Sequence, residues 1–233
     1  MTAAPTPEAP PISSAATPTR QRGTPLVTKR ILDVVLAAIA VLVSAPLMGV
    51  IAVAIKVETR GPALYRAERV GRNGQRFNVL KFRTMQVSAD PASHRAFVLD
   101  LLREGPYHAV ERNETALYKL VDDPRVTGVG RLLRRTSLDE LPQLFNVLRG
   151  DMSLVGPRPE VPYVLDAYPP WALDRFSVLP GITGAWQVSG RSKLTPLEML
   201  RLDSEYARTW SIGRDVRILL ATPRAILAQG GAA

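Results

Sequence analysis

Residues 134–160, RRTSLDELPQLFNVLRGDMSLVGPRPE, bring together the groups that phosphate chemistry requires. Arg134 and Arg135 precede an adjacent carboxylate pair, Asp139 and Glu140. A short helical run follows, and then a stiff Gly156-Pro157-Arg158-Pro159 turn carries another arginine. A guanidinium presents a planar fork of donors to phosphate oxygens, and a helix N-terminus adds a positive end of its own. Carboxylates bracketed by such groups suit work on a phosphate anhydride. An ionised carboxylate among cations is a competent nucleophile at phosphorus once the attacked group is neutralised.

Local physics offers a plainer role for the same residues. Ser137-Leu138-Asp139-Glu140 has the S-x-x-E form of a capping box, and acidic residues in a first helical turn are favoured by the macrodipole. Pro142 fits such a helix only if it begins near Leu138–Asp139. The two roles are compatible, since a helix N-terminus also stabilises a carboxylate as its anion. The residues alone leave both open.

The elements that must position these groups are bounded by composition. A chain of 233 residues suffices for one domain with a core and appendages. The absence of cysteine excludes disulfides, thiolate zinc sites and thiol catalysis, and the two histidines, His94 and His108, lack metal-ligand spacing. A net charge of +9 calls for an anionic partner. The basic residues gather at Lys56, Arg60, Arg66, Arg69, Arg72, Arg76, Lys81 and Arg83, just after the one long apolar segment. That placement suits anionic lipid headgroups, and with no zinc finger, basic zipper or aromatic RNA motif present, nucleic acid is not the expected partner.

Residues 1–28, rich in Pro, Ala, Thr and Ser, are expected to form a disordered tail. Residues 29–56 carry the apolar run, Ile31–Ile55, broken by Ser44-Ala45-Pro46. At 1.5 Å per residue the run reaches roughly 37 Å, enough for a hydrocarbon layer of ~30 Å. Lysines and arginines flank it on both sides, whereas the positive-inside preference would place both flanks in the cytoplasm. A re-entrant hairpin breaking at Pro46, with Ser44 bonding a freed carbonyl, satisfies that preference; a plain kinked transmembrane helix is the alternative. Residues 57–228 follow as the main domain, on the cytoplasmic face. Within it, Ala63–Val70 and Arg76–Met85 should pair as a hairpin across Asn73-Gly74. Residues 86–121 look like an insertion, Thr195-Pro196 should open a helix ending near Trp210, and Arg214–Leu227 should form a basic amphipathic helix that suits a membrane interface and equally a surface helix facing the core. Residues 229–233 form a short tail. The expected class is α+β, mainly helical, with a re-entrant membrane hairpin, a small β-hairpin and interfacial helices around one catalytic domain.

Several separated motifs, taken in order, carry a family resemblance. They are Lys29-Arg30-x-x-Asp33, Ser44–Pro46, Gly61-Pro62, Arg69-Val70-Gly71, Lys81-Phe82-Arg83-Thr84-Met85, Asp123-Pro124-Arg125-Val126-Thr127, Arg134–Gln143, Asn146–Gly150, Met152–Glu160, Leu179–Gly184 and Trp186–Arg191. Residues from about 29 to 228 resemble the bacterial sugar transferases, the monotopic polyprenyl-phosphate phosphoglycosyl transferases that begin exopolysaccharide, capsule and O-antigen assembly. The resemblance implies a membrane hairpin entering and leaving on the cytoplasmic face of the bacterial inner membrane. It implies transfer of a sugar-1-phosphate, of hexose type, from a UDP-sugar to undecaprenyl phosphate with release of UMP. It further implies Asp139 as nucleophile through a covalent phosphosugar intermediate, Glu140 as a proton-transfer or structural partner, and Mg²⁺ held at Asp139 and the phosphates. Lys81, Arg83, Arg134 and Arg158 map to the phosphate and nucleotide pocket, with Pro157 and Pro159 stiffening the turn that aims Arg158. A homodimer is left open, as are the sugar and the polymer. Two other classes compete: a non-catalytic scaffold anchored by the apolar segment and polybasic patch, and a hydrolase or kinase on lipid-linked phosphates, for which no P-loop is present.

Overall fold

One long helix, α1 (Gly23–Glu58), packs along the other described elements. In the computed structural model the described residues are 23–86, 123, 125–190 and 194–228. The expected tail up to residue 22, the expected insertion apart from its first residue, Arg191 and the last five residues lie outside them. The helix starts inside the expected tail and its assignment runs unbroken through Pro46, as one element rather than two separate helices. Ser44 Oγ donates to the Ala40 carbonyl at 2.6 Å, close to where the proline ring removes a backbone donor. By length and composition α1 could cross a membrane.

Both halves of α1 pack on the same body. Ala37 enters a core with Val79, Leu144, Val147 and Met152, while Ile51 and Ile55 enter another with Ala63, Phe82 and Leu133. Leu141 packs against both. The ends are pinned as well. Lys29 Nζ donates to Asp215 at 2.6 Å, and Arg30 bonds the carbonyls of Val147 and Leu148 at 2.7 and 3.0 Å. At the other end Glu58 accepts from the amides of Gly128 and Val129 at 2.7 and 3.0 Å, a carboxylate at the positive end of a helix. Between these anchors Ile31, Val35, Ile39, Leu42, Val43 and Val50 remain exposed.

The expected hairpin forms as β1 (Leu64–Val70) and β2 (Arg76–Phe82), antiparallel, with Tyr65 opposite Lys81. Asn73 takes φ 57° and Gly74 φ 77°, the left-handed pair that an Asn-Gly turn provides. Next come α2 (Gly128–Thr136) and α3 (Gln143–Arg149), the latter closed by Gly150 at φ 98°. Beyond α3 the chain forms β3 (Ser153–Val155), which pairs in parallel with β4 (Gly181–Thr183). Three helices close the fold: α4 (Ala185–Val188), α5 (Pro196–Arg208) and α6 (Ile212–Leu227). As expected, Thr195 caps α5, in a full capping box with Glu198. A third core gathers Val155, Ala185, Tyr206 and Ile218. The described residues are thus mainly helical with two small sheets.

Asn146, fully buried on α3, completes the free edge of β2. Its Nδ2 donates to the Asn78 carbonyl at 2.7 Å, and its Oδ1 accepts from the Leu80 amide at 2.9 Å. Asn146→Ala leaves the buried Leu80 amide unpaired, worth roughly 1–3 kcal/mol, while the Asn78 carbonyl, on an exposed residue, loses a part-buried bond. An unfolding free energy lowered by about 1–3 kcal/mol is the expected outcome; a loss under about 0.5 kcal/mol would mean that water replaces the amide without penalty.

Candidate active site

The carboxylate pair sits on a tight connection between helices rather than in the first turn of one. After α2, Ser137 adopts φ 58° and returns its amide to the Arg134 carbonyl. The chain then makes a 3₁₀ turn over Leu138–Glu140, and α3 starts only at Gln143 with Pro142 before it. The expected capping box is not formed: the Ser137 side chain makes no cap bond. The Glu140 carboxylate turns instead toward the hairpin and the Pro-Arg-Pro turn, because two cations there outweigh one backbone amide.

Lys81 Nζ donates to Glu140 Oε1 at 3.0 Å, and the Arg158 guanidinium reaches Oε1 at 2.6 Å and Oε2 at 3.4 Å. Lys81 also faces Asp139 at 4.0 Å. Among the described residues neither oxygen of Asp139 accepts a hydrogen bond, although its side chain is only 14% exposed. The neighbours therefore diverge. Burial raises the carboxyl of Asp139, with Lys81 opposing and the Glu140 charge adding to the rise. Burial would raise Glu140 too, but Arg158 and Lys81 override it and hold that carboxyl well below the usual range. Two adjacent acids pushed apart in this way have distinct roles. Glu140 is a fixed anion that organises two cations; Asp139 is the less engaged carboxylate beside them, with Lys81 at 4.0 Å.

Arg134, in the last turn of α2, donates from Nε to Thr84 Oγ1 at 2.9 Å. Burial lowers its pKa, while the charges of Asp139 and Asp123 support the guanidinium. Asp123 is itself lowered to about 2 by its bond to Arg125. Arg83 is placed elsewhere. Its side chain is buried under the end of α1, donating to the Arg60 carbonyl at 2.7 Å and to Thr59 Oγ1 at 2.8 Å. It closes the helix C-terminus rather than joining Lys81 at Glu140. Ser44 and Pro46 lie in α1, away from these groups in sequence and in packing.

The turn that carries Arg158 rests on close backbone contact. Gly156 donates to the Thr183 carbonyl and Gly181 to the Pro157 carbonyl, both at 2.9 Å. A Cβ on Gly156 or Gly181 would collide with the opposing backbone, so the glycines permit this approach. Pro157 is buried in the contact and, with Pro159, restricts the turn's φ angles. Behind it lie Glu160, Arg175 and Asp203, a buried ionic cluster that the sequence reading missed; Arg175, in a Trp-Ala-Leu-Asp-Arg stretch, carries no local signal. Thr84, which holds Arg134, lies in the Lys81–Met85 motif, where nothing local signals that role.

No group of three or more His, Cys, Asp or Glu side chains that could cage a metal occurs among the described residues. Asp139, whose oxygens accept no hydrogen bond among the described residues and whose one ion pair, with Lys81, is long at 4.0 Å, fits a Mg²⁺ that brings most of its ligands as substrate phosphates and water, the ion's usual habit.

If Asp139 must be ionised to act, its raised pKa places the acid limb of activity above the ordinary aspartate range, while Glu140 stays charged throughout. Removing Lys81, the largest opposing charge, should push the limb to higher pH still. A pH profile of kcat/KM for Lys81→Met beside the parent checks this; an unmoved limb would assign the titration to another group.

Residues 24–229 match the model of the family described as bacterial sugar transferase. The chain belongs to that family. Among curated members it is 42% identical over 206 residues to an undecaprenyl-phosphate galactose phosphotransferase of Salmonella typhimurium, covering 88% of this chain and 41% of that one. It is 41% identical over 203 residues to the exopolysaccharide production protein ExoY of Rhizobium meliloti, covering 87% of each. A UDP-glucose:undecaprenyl-phosphate glucose-1-phosphate transferase of Caulobacter vibrioides is 43% identical over 213 residues, with 88% of this chain and 71% of that one covered. Several relatives are more than twice as long, the chain spanning less than half of their length. The expected family is therefore shown.

Proposed function

We propose that this sugar transferase moves a sugar-1-phosphate from a UDP-sugar to undecaprenyl phosphate, releasing UMP, as the first step of exopolysaccharide-type glycan assembly. The observation that carries the proposal is Asp139, a desolvated carboxylate without hydrogen bonds among the described residues, beside a lysine and an arginine already pinned by Glu140. The names of the Salmonella and Caulobacter relatives supply the substrate class.

In this reading an Asp139 Oδ attacks the phosphorus that bears the sugar. The bond from that phosphorus to the bridging oxygen breaks, and its electron pair leaves with UMP. The aspartyl phosphosugar is then attacked at the same phosphorus by an oxygen of undecaprenyl phosphate, which displaces the carboxylate and leaves undecaprenyl-diphosphate-sugar. Arg158 and Lys81 stand where charge develops on the phosphoryl oxygens, and preorganised donors of this kind stabilise a transition state without reorganising. Arg134 approaches from the α2 side. Glu140, being held as an anion, orients the cations and is a poor proton acceptor near neutral pH. A bound Mg²⁺ would neutralise the diphosphate and improve UMP as a leaving group.

Both ends of α1 are fastened to one catalytic body while the apolar residues between them stay exposed. A helix crossing the bilayer would carry its ends to opposite faces. This favours α1 entering the cytoplasmic leaflet of the bacterial inner membrane and returning to the same side, with the exposed apolar residues of α6 (Val216, Leu220 and Leu227) at the interface. Single cysteines at Val27 and Arg60, in a chain with none of its own, should both resist an impermeant thiol reagent until the inner membrane is opened. Labelling of either from outside would establish a spanning helix.

UMP release from nanodisc-held protein with Mg²⁺, undecaprenyl phosphate and a panel of UDP-sugars tests the activity. Release with one or a few donors is expected; silence across the panel from folded, membrane-bound protein would favour the scaffold.

A further inference from the structure

Arg175 is the most deeply buried arginine among the described residues that touches the phosphate-binding turn. It lies in the 3₁₀ run Pro170–Ser177 and is 3% exposed. One arm of its fork donates to the carbonyl of Arg158 at 2.8 Å and to Asp203 Oδ2 at 2.7 Å. The other donates to Glu160 Oε2 and to the Tyr168 hydroxyl, both at 3.1 Å. Tyr168 in turn donates to Glu160 at 2.7 Å. Asp203 comes from α5 and is 1% exposed.

A buried ionic cluster is an expensive way to fill space, because desolvation offsets most of the attraction and apolar packing often does as well. What this cluster does that apolar packing cannot is specify backbone. The fork grips the main chain at Arg158 itself and the side chain two residues later, while Glu160 joins the end of β1 through the amide of Val70 at 2.7 Å. The Arg158 side chain therefore leaves a backbone held on its far side and meets Glu140 at 2.6 Å.

We propose that Arg175 is a positioning residue for Arg158, and that Asp203 fixes Arg175 so that α5 braces the phosphate-binding turn. Arg175 touches no substrate in this account; it acts by setting where the Arg158 guanidinium stands. The inference rests on the phosphotransferase reading above. Lysine cannot replace it, since an ammonium lacks the planar fork that holds both arms together.

The test is a double-mutant cycle in nanodiscs: parent, Arg175→Lys, Arg158→Ala and the double variant, each assayed for UMP release and for backbone amide exchange. Arg175→Lys should lower kcat/KM for the UDP-sugar by roughly 10–100-fold, the scale of a misplaced positioning group. On the residual activity of Arg158→Ala the same change should cost less than about threefold, because the group it positions is gone. Exchange should quicken over residues 156–161 while α1 and α3 keep their protection. Equal fold losses in both backgrounds, or protection lost across the whole fold, would overturn the proposal. If Arg175→Lys does not fold, Asp203→Asn enters the cycle in its place with the same expectations. If the parent releases no UMP with any donor, the phosphotransferase reading fails by itself. The exchange pattern then decides alone: local quickening supports the clamp, and a global or absent change rejects it.

Discussion

Asp139→Asn is expected to abolish UMP release, by on the order of 10⁴-fold or more, the scale on which removal of a covalent nucleophile acts. The fold should survive. The Asp139 carboxylate accepts no hydrogen bond among the described residues and burial opposes its charge, so a neutral amide of equal size removes a desolvated anion at the cost of one attraction to Lys81 at 4.0 Å. Thermal unfolding in nanodiscs should be unchanged or slightly higher, and membrane attachment intact. The sign of the stability change matters. A folded-state pKa above the unfolded value means that ionising Asp139 destabilises the fold as pH rises through that range, and the amide relieves this. Activity within about tenfold of the parent would exclude Asp139 as nucleophile, since such a residue cannot be spared.

Arg158→Ala is the second large effect. It removes the strongest contact of Glu140 and one of the two cations beside Asp139. Loss of one preorganised charged donor typically costs about 10²–10³ in turnover. The stability cost should be smaller than for a deeply buried ion pair, because the Arg158 side chain is 35% exposed and Lys81 still neutralises Glu140. A kinetic assay beside a melting curve distinguishes the two: turnover should collapse while Tm moves little. A large fall in Tm with turnover retained would make Arg158 a structural residue and leave phosphate binding to Lys81 and Arg134.

These outcomes depend on an arrangement that was only partly legible in the sequence. The β1–β2 hairpin was readable because Asn73-Gly74 states its turn locally, and α5 because Thr195, Pro196 and Glu198 state its start. The approach of Lys81, Asp139, Glu140 and Arg158 followed from motif order, not from spacing, since the four come from three separate segments. Local rules failed where distant partners outbid them. Ser137-Leu138-Asp139-Glu140 has the pattern of a capping box, yet Glu140 pairs with Lys81 and Arg158. Arg83, one residue beyond β2, was grouped with Lys81 because alternation along an extended backbone puts i and i+2 on one face; its guanidinium instead pairs with the carbonyls of Thr59 and Arg60 at the end of α1. The β3–β4 pair escaped notice because three-residue strands far apart in sequence have no periodicity to read. Pro46 does not stop α1, and the helix starts at Gly23, within what reads as a polar tail.

The most direct test of the central claim is a single turnover without acceptor. Protein in nanodiscs, given Mg²⁺ and a UDP-sugar labelled in the sugar and the β-phosphate but no undecaprenyl phosphate, should release up to one UMP per active site. It should also retain the label on the denatured chain, in the peptide containing Asp139. Adding undecaprenyl phosphate before denaturation should clear that label into lipid, and Asp139→Asn should never acquire it. UMP formed only when both substrates are present, with no label on the chain at any time, would contradict the account and point to direct transfer between the two phosphates.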